Sequence, residues 1–161
     1  MGHYQGIHHL ALVTNDMDKT VRFYRDILGM KLVATTGNRP GRPYRHYFFE
    51  LGPHQTIAFF EWPGMLEEFH KPAGLPTRGR VQFDHVAFGV ASVAELEALQ
   101  QRLRAKGVEV TEIVDHTICK SIYFTDPNGI ALEASAWTED IFAKPYRGDQ
   151  RPVPAVLEEE P

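Results

Sequence analysis

The chain has a single cysteine, Cys119, so no internal disulfide can staple it. That scarcity fits a reducing compartment. Basic residues are outnumbered: 17 Lys and Arg stand against 21 Asp and Glu, for a net charge of −4. This balance gives no electrostatic case for nucleic-acid binding, which usually shows as a basic patch. Long apolar runs are missing too, and none approaches the roughly 18 residues that would indicate a membrane span. The first residues lack the basic-then-apolar pattern of an export signal. A soluble cytoplasmic protein with no nucleic-acid or membrane partner is the expectation.

What is present is histidine and repetition. There are eight histidines in 161 residues, and histidine is the commonest metal ligand. Residues 83–90 read Phe-Asp-His-Val-Ala-Phe-Gly-Val. His85, Ala87 and Gly89 alternate with Val86, Phe88 and Val90, the period of a half-buried strand. Residues 7–14 repeat it as Ile-His-His-Leu-Ala-Leu-Val-Thr. Here His9, Ala11 and Val13 oppose Leu10 and Leu12, so His9 aligns with His85. His8 falls on the apolar side.

The elements after each strand also repeat. Asp16 can cap a helix over 17–28 that Gly29 stops. Strands over 30–35, 44–51 and 56–62 follow, with a loop over 36–43 and a turn at 52–55. In the second half, Ser92 and Glu95 form a capping box, and Val93, Leu96, Leu99 and Leu103 form one helical face. Strands over 108–114, 121–125 and 130–136 follow, the last two flanking the strong turn Asp126-Pro127-Asn128-Gly129. The chain therefore divides into a module at 7–62, a Pro/Gly-rich linker at 63–81 with one helical turn near 66–70, and a second module at 82–137. The Pro/Glu-rich tail, 138–161, is expected to be poorly ordered.

Small residues beside His9 and His85 leave room for a ligand on a shared concave face. Glu133, at the end of an apolar strand, adds a carboxylate. Two histidines and a carboxylate on three strands form a facial triad with open coordination positions. Open positions are what a catalytic metal needs.

Three stretches then resemble the vicinal oxygen chelate superfamily, which includes glyoxalase I, extradiol dioxygenases, methylmalonyl-CoA epimerase and the fosfomycin- and bleomycin-resistance proteins. They are His9-Leu-Ala-Leu-Val with Phe23-Tyr-Arg-Asp-Ile-Leu-Gly29, then Asp84-His-Val-Ala-Phe-Gly-Val90, and Ser121-Ile-Tyr-Phe-Thr-Asp-Pro-Asn-Gly-Ile-Ala-Leu-Glu133. The resemblance implies an α+β fold in which paired βαβββ modules form an open, cup-like eight-stranded barrel. It also implies that His9, His85 and Glu133 are metal ligands.

Within that family, glyoxalase I uses a fourth ligand, a first-module carboxylate. Aligning residues 56–60 on 129–133 puts Phe60 there, with Glu61 one residue away as a possible fourth ligand. An arginine of some glyoxalases is Val13 here. Both departures weigh against a glutathione-dependent lyase. Tyr123 faces Glu133 across a hairpin, and with His116 it resembles the acid/base region of ring-cleaving dioxygenases. These likenesses imply a non-haem Fe(II) extradiol-type dioxygenase acting on a catechol-like or other vicinal-oxygen small molecule. Mn, Zn, Ni or Co are the other metals to consider. His116 would assist deprotonation and Tyr123 would stabilise an oxyanion. Phe48 and Phe60 would contribute an apolar wall, and Arg45 would steer an anionic substrate. The alternatives are a metal-dependent lyase or isomerase and a metal-free antibiotic-binding protein. Related two-module proteins imply a homodimer, in some cases with ligands shared between chains.

Overall fold

Strand β1, His9–Thr14, leads into helix α1, Met17–Val21, through Asp16. The Asp16 carboxylate accepts from the Lys19 N–H at 2.8 Å and caps an otherwise unpaired helix donor. The helix then widens into a π-helical stretch, Arg22–Ile27, closed by Leu28 N–H to the Phe23 carbonyl at 2.9 Å. Residues 17–28 are thus helical as expected, but the wider turn points both Phe23 and Tyr24 into the core. Gly29 ends the element at φ +80°. The computed structural model describes residues 6–62, 64–67, 69–78, 83–144 and 146.

Three strands complete the first module: β2, Leu32–Arg39; β3, Arg42–Gly52; and β4, Gln55–Glu61. The second module repeats the pattern with β5, Val86–Gly89; α2, Val93–Ala105; β6, Val114–Asp115; β7, Cys119–Thr125; and β8, Ala131–Trp137. Ser92 caps α2, with Glu95 N–H donating to Ser92 Oγ at 3.2 Å, but the expected box forms only in part: the Glu95 carboxylate accepts from the Ala91 N–H at 3.1 Å. Each module folds into a four-stranded sheet, ordered β1-β4-β3-β2 and β5-β8-β7-β6. The first strand of each lies parallel to the last and the others are antiparallel. This is the paired βαβββ, α+β architecture, with eight strands in two sheets.

Register sorts the faces. Leu10, Leu12 and Thr14 pair with Ile57, Phe59 and Glu61 on the helix side. His9, Ala11 and Val13 pair with Thr56, Ala58 and Phe60 on the open side. Ile57, Phe59, Phe49, Leu96, Leu103, Phe124 and Leu132 are fully buried and belong to one core shared by both modules. Each such side chain contributes about 1.5–3 kcal/mol when removed from water. Arg102 Nη2 donates to the Leu28 carbonyl at 3.1 Å, so the two helical layers meet. The junction is then locked by polar contacts. The Thr14 hydroxyl donates to Asn128 Oδ1 at 2.6 Å, and Tyr24 Oη donates to Asp126 Oδ2 at 3.1 Å. Burial pushes the Asp126 carboxyl above its ordinary pKa.

Three expectations change. The loop at 36–43 is instead a continuation of β2 and β3, with Gly37 opposite Arg45 and Arg39 opposite Arg42. Gly37 permits this: at φ +110° it lets the Tyr44 carbonyl approach to where a Cβ would lie 1.9 Å away. The strand at 108–114 reduces to one bridge at Val110 and the two residues of β6. Side chains displace the ladder there: Tyr123 N–H donates to Thr111 Oγ1 at 3.0 Å and Gln100 Nε2 to the Thr111 carbonyl at 2.6 Å. The linker shows no helical turn at 66–67 or 69–70 among the described residues. Of the tail, residues 147–161 lie outside the described residues.

Candidate metal centre

The open face of the second sheet brings together several of the candidate site residues. Tyr123 on β7 stands directly opposite Glu133 on β8, and Ala87 on β5 flanks Glu133 on its other side. His85 immediately precedes β5. The small Ala87 and Gly89 leave the face uncovered, and both are exposed. His85 Nε2 lies 2.7 Å from Glu133 Oε2. Tyr123 Oη donates to Glu133 Oε1 at 3.3 Å and lies 2.8 Å from His116 Nε2. Four expected site residues thus form one row: His85, Glu133, Tyr123, His116. Glu133 is buried while His85 is 34% exposed, so the row is fixed at its carboxylate and open at its imidazole. Burial, with the Glu133 charge adding, pushes the Tyr123 phenol up to about 12.

Behind the row, His85 Nδ1 lies 2.8 Å from Asp84 Oδ1. Asp84 is held well below the usual carboxylate range, first by that contact, then by the Thr77 N–H and Lys71. With Nδ1 against Asp84, Nε2 and its neighbour Glu133 Oε2 are the pair that a cation could separate and bind. An imidazole nitrogen and a carboxylate oxygen converging on an open face suit a divalent cation such as Fe, Mn or Zn.

His9 is not in this row. It sits on the other sheet, with its Nδ1 2.9 Å from His8 Nδ1 and its ring against Phe48. Among the described residues, no group of three or more His, Cys, Asp or Glu is placed to hold a metal ion. His9 on β1 and Glu133 on β8 belong to different sheets of the chain. Around His9 the face is aromatic. His46 stacks on Phe60 with ring centres 3.5 Å apart, and Phe60 on Trp62 at 4.7 Å. His46 Nε2 is buried without a hydrogen-bond partner among the described residues. Burial, and then nearby His9, lower the His46 pKa.

Two readings of β4 are corrected. The strand register pairs Ala11 with Ala58 and Ala87 with Glu133, so the position matching Glu133 is Ala58 rather than Phe60. Glu61 lies on the opposite face, buried toward α1. It accepts two bonds from Arg45, at 2.6 and 2.7 Å, and one from the Met17 N–H at 2.7 Å. Its carboxylate is thereby used up, and a fourth-ligand role does not fit. The Arg45 hydrogen bond holds the Glu61 carboxyl below its ordinary pKa. Arg45 is likewise committed, to Glu61 and to Asp18 at 2.8 Å, and faces away from the open face. A substrate-binding role for Arg45 therefore does not fit either. Phe48 and Phe60 do face the open side, as expected.

Sequence reading passed over His46, Asp84 and Lys71. The alternation Tyr44, His46, Phe48 would have put His46 beside Phe48. Asp84 next to His85 was a visible pair. Nothing in the linker marked Lys71.

A family profile described as the Glyoxalase/Bleomycin resistance protein/Dioxygenase superfamily matches residues 6–134. Biphenyl-2,3-diol 1,2-dioxygenase 3 of Rhodococcus globerulus is 30% identical over 139 residues, covering 85% of this chain and 64% of that protein. The shares are 34% and 45% for two further relatives named as dioxygenases. Metallothiol transferase FosB of Staphylococcus haemolyticus is 26% identical, over 80% of this chain and 81% of its own length. The solved glyoxylase/bleomycin resistance protein/dioxygenase domain from Frankia sp. EAN1pec is 25% identical with a TM-score of 0.68, over 84% of this chain and 94% of that one.

Proposed function

Since the chain belongs to the Glyoxalase/Bleomycin resistance protein/Dioxygenase superfamily, we propose that it is a divalent-metal-dependent enzyme, a non-haem Fe(II) extradiol-type dioxygenase acting on a catechol-like or other vicinal-oxygen small molecule. The observation that carries this reading is the row His85, Glu133, Tyr123, His116, linked at 2.7, 3.3 and 2.8 Å. It puts a proton-bearing phenol between a ligand carboxylate and an imidazole.

In this reading His85 and Glu133 are two metal ligands and His9 of a second copy is the third. The metal, once bound, supplies a Lewis-acid centre with open positions for substrate and dioxygen. Tyr123 takes its place beside the substrate oxygen and donates its hydroxyl proton to developing negative charge. His116 is exposed and exchanges protons between Tyr123 and solvent. Phe48, Phe60 and stacked His46 supply an aromatic wall that orients a planar ring and excludes water.

The same geometry supports a homodimer in this reading. One chain brings two donors together and leaves the third on another face. Each sheet also leaves its first strand, β1 or β5, as an edge. A two-fold dimer that sets β1 of one copy beside β5 of the other completes two equal cups.

The test is anaerobic purification, loading with Fe(II) or Mn(II), and oxygen uptake with substituted catechols. Ring-cleavage product formed one-to-one with oxygen consumed is the expected result. Metal binding without oxygen consumption would reject the dioxygenase. A second reading, thiol transfer, is favoured by one observation: the chain spans 81% of the metallothiol transferase but 64% of the first dioxygenase. A thiol adduct of a small-molecule acceptor, detected by mass, would support it instead.

A further inference from the structure

The segment between the modules crosses the second sheet close to the row of site residues. We propose that this strap, residues 69–77, is a working part of the metal centre: Lys71 and Thr77 fix Asp84, and Asp84 fixes His85. The proposal rests on His85 being a metal ligand, as read above.

Lys71 is the first indication. It is 6% exposed, whereas Phe69 and Leu75 in the same stretch are each 58% exposed. A buried ammonium is costly unless paired. Its Nζ donates to the Leu75 carbonyl at 2.6 Å and to Asp84 Oδ1 at 3.1 Å. Its backbone is pinned as well: its N–H donates to the Gly129 carbonyl at 2.9 Å, and its carbonyl accepts from Thr125 Oγ1 at 3.3 Å. Lys71 is therefore anchored to the β7–β8 hairpin and reaches back to the start of β5.

Asp84 is the second. Its side chain is 46% exposed, and an aspartate so placed ordinarily moves freely. Here Oδ2 accepts from the Thr77 N–H at 2.7 Å, while Oδ1 faces both Lys71 Nζ and His85 Nδ1. The carboxylate is thus turned so that one oxygen is presented to the imidazole.

The consequence falls on His85. The ring is held between two carboxylates, with Nδ1 2.8 Å from Asp84 Oδ1 and Nε2 2.7 Å from Glu133 Oε2, so it cannot rotate freely; a metal bound on the Glu133 side would take Nε2 and leave the Nδ1 proton to Asp84. The strap also reaches the other end of the row. Gly74, at φ +69°, lies where a Cβ would sit 3.5 Å from the Tyr123 side chain. A strap that merely joined two modules would need none of these contacts at the ligand histidine. Lys71, Thr77 and Asp84 are positioning residues: they act through His85.

The experiment uses the full chain, with Mn(II) affinity measured by competition titration and fold checked by circular dichroism. His85→Ala should abolish binding. Asp84→Asn and Lys71→Met, both close in shape to the originals, should each weaken Mn(II) binding about 10-fold or more while staying folded. A second measurement needs no variant: nitrogen-15 spectra of the Zn(II)-loaded protein should show His85 protonated at Nδ1. If His85→Ala abolishes binding but both folded variants bind within two-fold of wild type, the strap's role is refuted and the ligand assignment stands. If His85→Ala binds metal normally, both fall. If either variant unfolds, the spectrum decides, and a Zn(II)-loaded His85 protonated at Nε2 would refute the proposal.

Discussion

Glu61 offers a sharp test, because its two possible roles predict opposite phenotypes. As a buried ion pair it holds β3, β4 and α1 together; as a fourth ligand it would hold metal. Glu61→Ala removes two Arg45 bonds and the Met17 bond. Removing one partner of a buried pair costs about 3–5 kcal/mol. Arg45 keeps Asp18 and is 23% exposed, which takes the effect to the lower end. We expect a loss of about 3 kcal/mol, and for a chain of this size a Tm lower by about 6–12 °C. Glu61→Gln keeps one acceptor and should lose about half as much. Replacing both partners, Arg45→Met with Glu61→Leu, should recover most of the stability, because no charge is then left buried alone. The acid limb carries the same signature. Arg45 lowers the Glu61 pKa from its ordinary 4.5. Its contribution is therefore complete above about 4.5 and is lost as pH falls through the lower folded value. Glu61→Gln should flatten that limb. Thermal unfolding by circular dichroism at neutral and acid pH, with metal content of the same samples, decides the matter. A Glu61→Ala protein with unchanged Tm but a lost metal equivalent would overturn the argument.

Three other outcomes follow from the geometry. Mixing His9→Ala chains with Glu133→Ala chains after unfolding and refolding should restore about a quarter of wild-type activity, since half the dimers then carry one intact cup; no recovery would place all ligands within one chain. Asn128→Ala removes the acceptor of Thr14 and a donor to Asp126, and should cost about 1–3 kcal/mol in denaturant unfolding while metal affinity stays within two-fold. Phe48→Ala should raise KM for aromatic substrates several-fold with metal content unchanged; a fall in metal content instead would mean the wall supports the ligands.

Much of the fold was legible because each half announces itself. The alternation around His9, the Ser92 cap and the Asp126-Pro-Asn-Gly turn are local signals, and each formed; the strand expected over 83–90 is shorter, beginning just after His85. The second-module site was legible for the same reason: Tyr123 and Glu133 are hairpin partners close in sequence. What escaped was long-range. Strand periodicity fixes which face a side chain takes but not which neighbour it meets. Phe60 was therefore on the right face and one pair too far along, with Ala58 at the true match. The same parity rule correctly pointed Glu61 away from the cup. The helix kept its limits but not its pitch, since nothing local marks a π turn. Lys71 escaped because its partners are a backbone carbonyl and a distant aspartate, neither of which leaves a pattern in the linker.

The matched registers of the two sheets carry a last consequence. At corresponding positions one sheet presents Glu133, Tyr123 and Ser121, and the other Ala58, Phe48 and His46. The repeat is thus alike in backbone and unlike in side chains, polar on one sheet and aromatic on the other. Under the proposed function, mutations that reshape the aromatic half would alter which molecules enter while leaving Glu133 in place. A lineage built on this plan can explore new substrates while its chemistry stays in place, and a protein engineer can randomise positions 46, 48, 58 and 60 under the same protection.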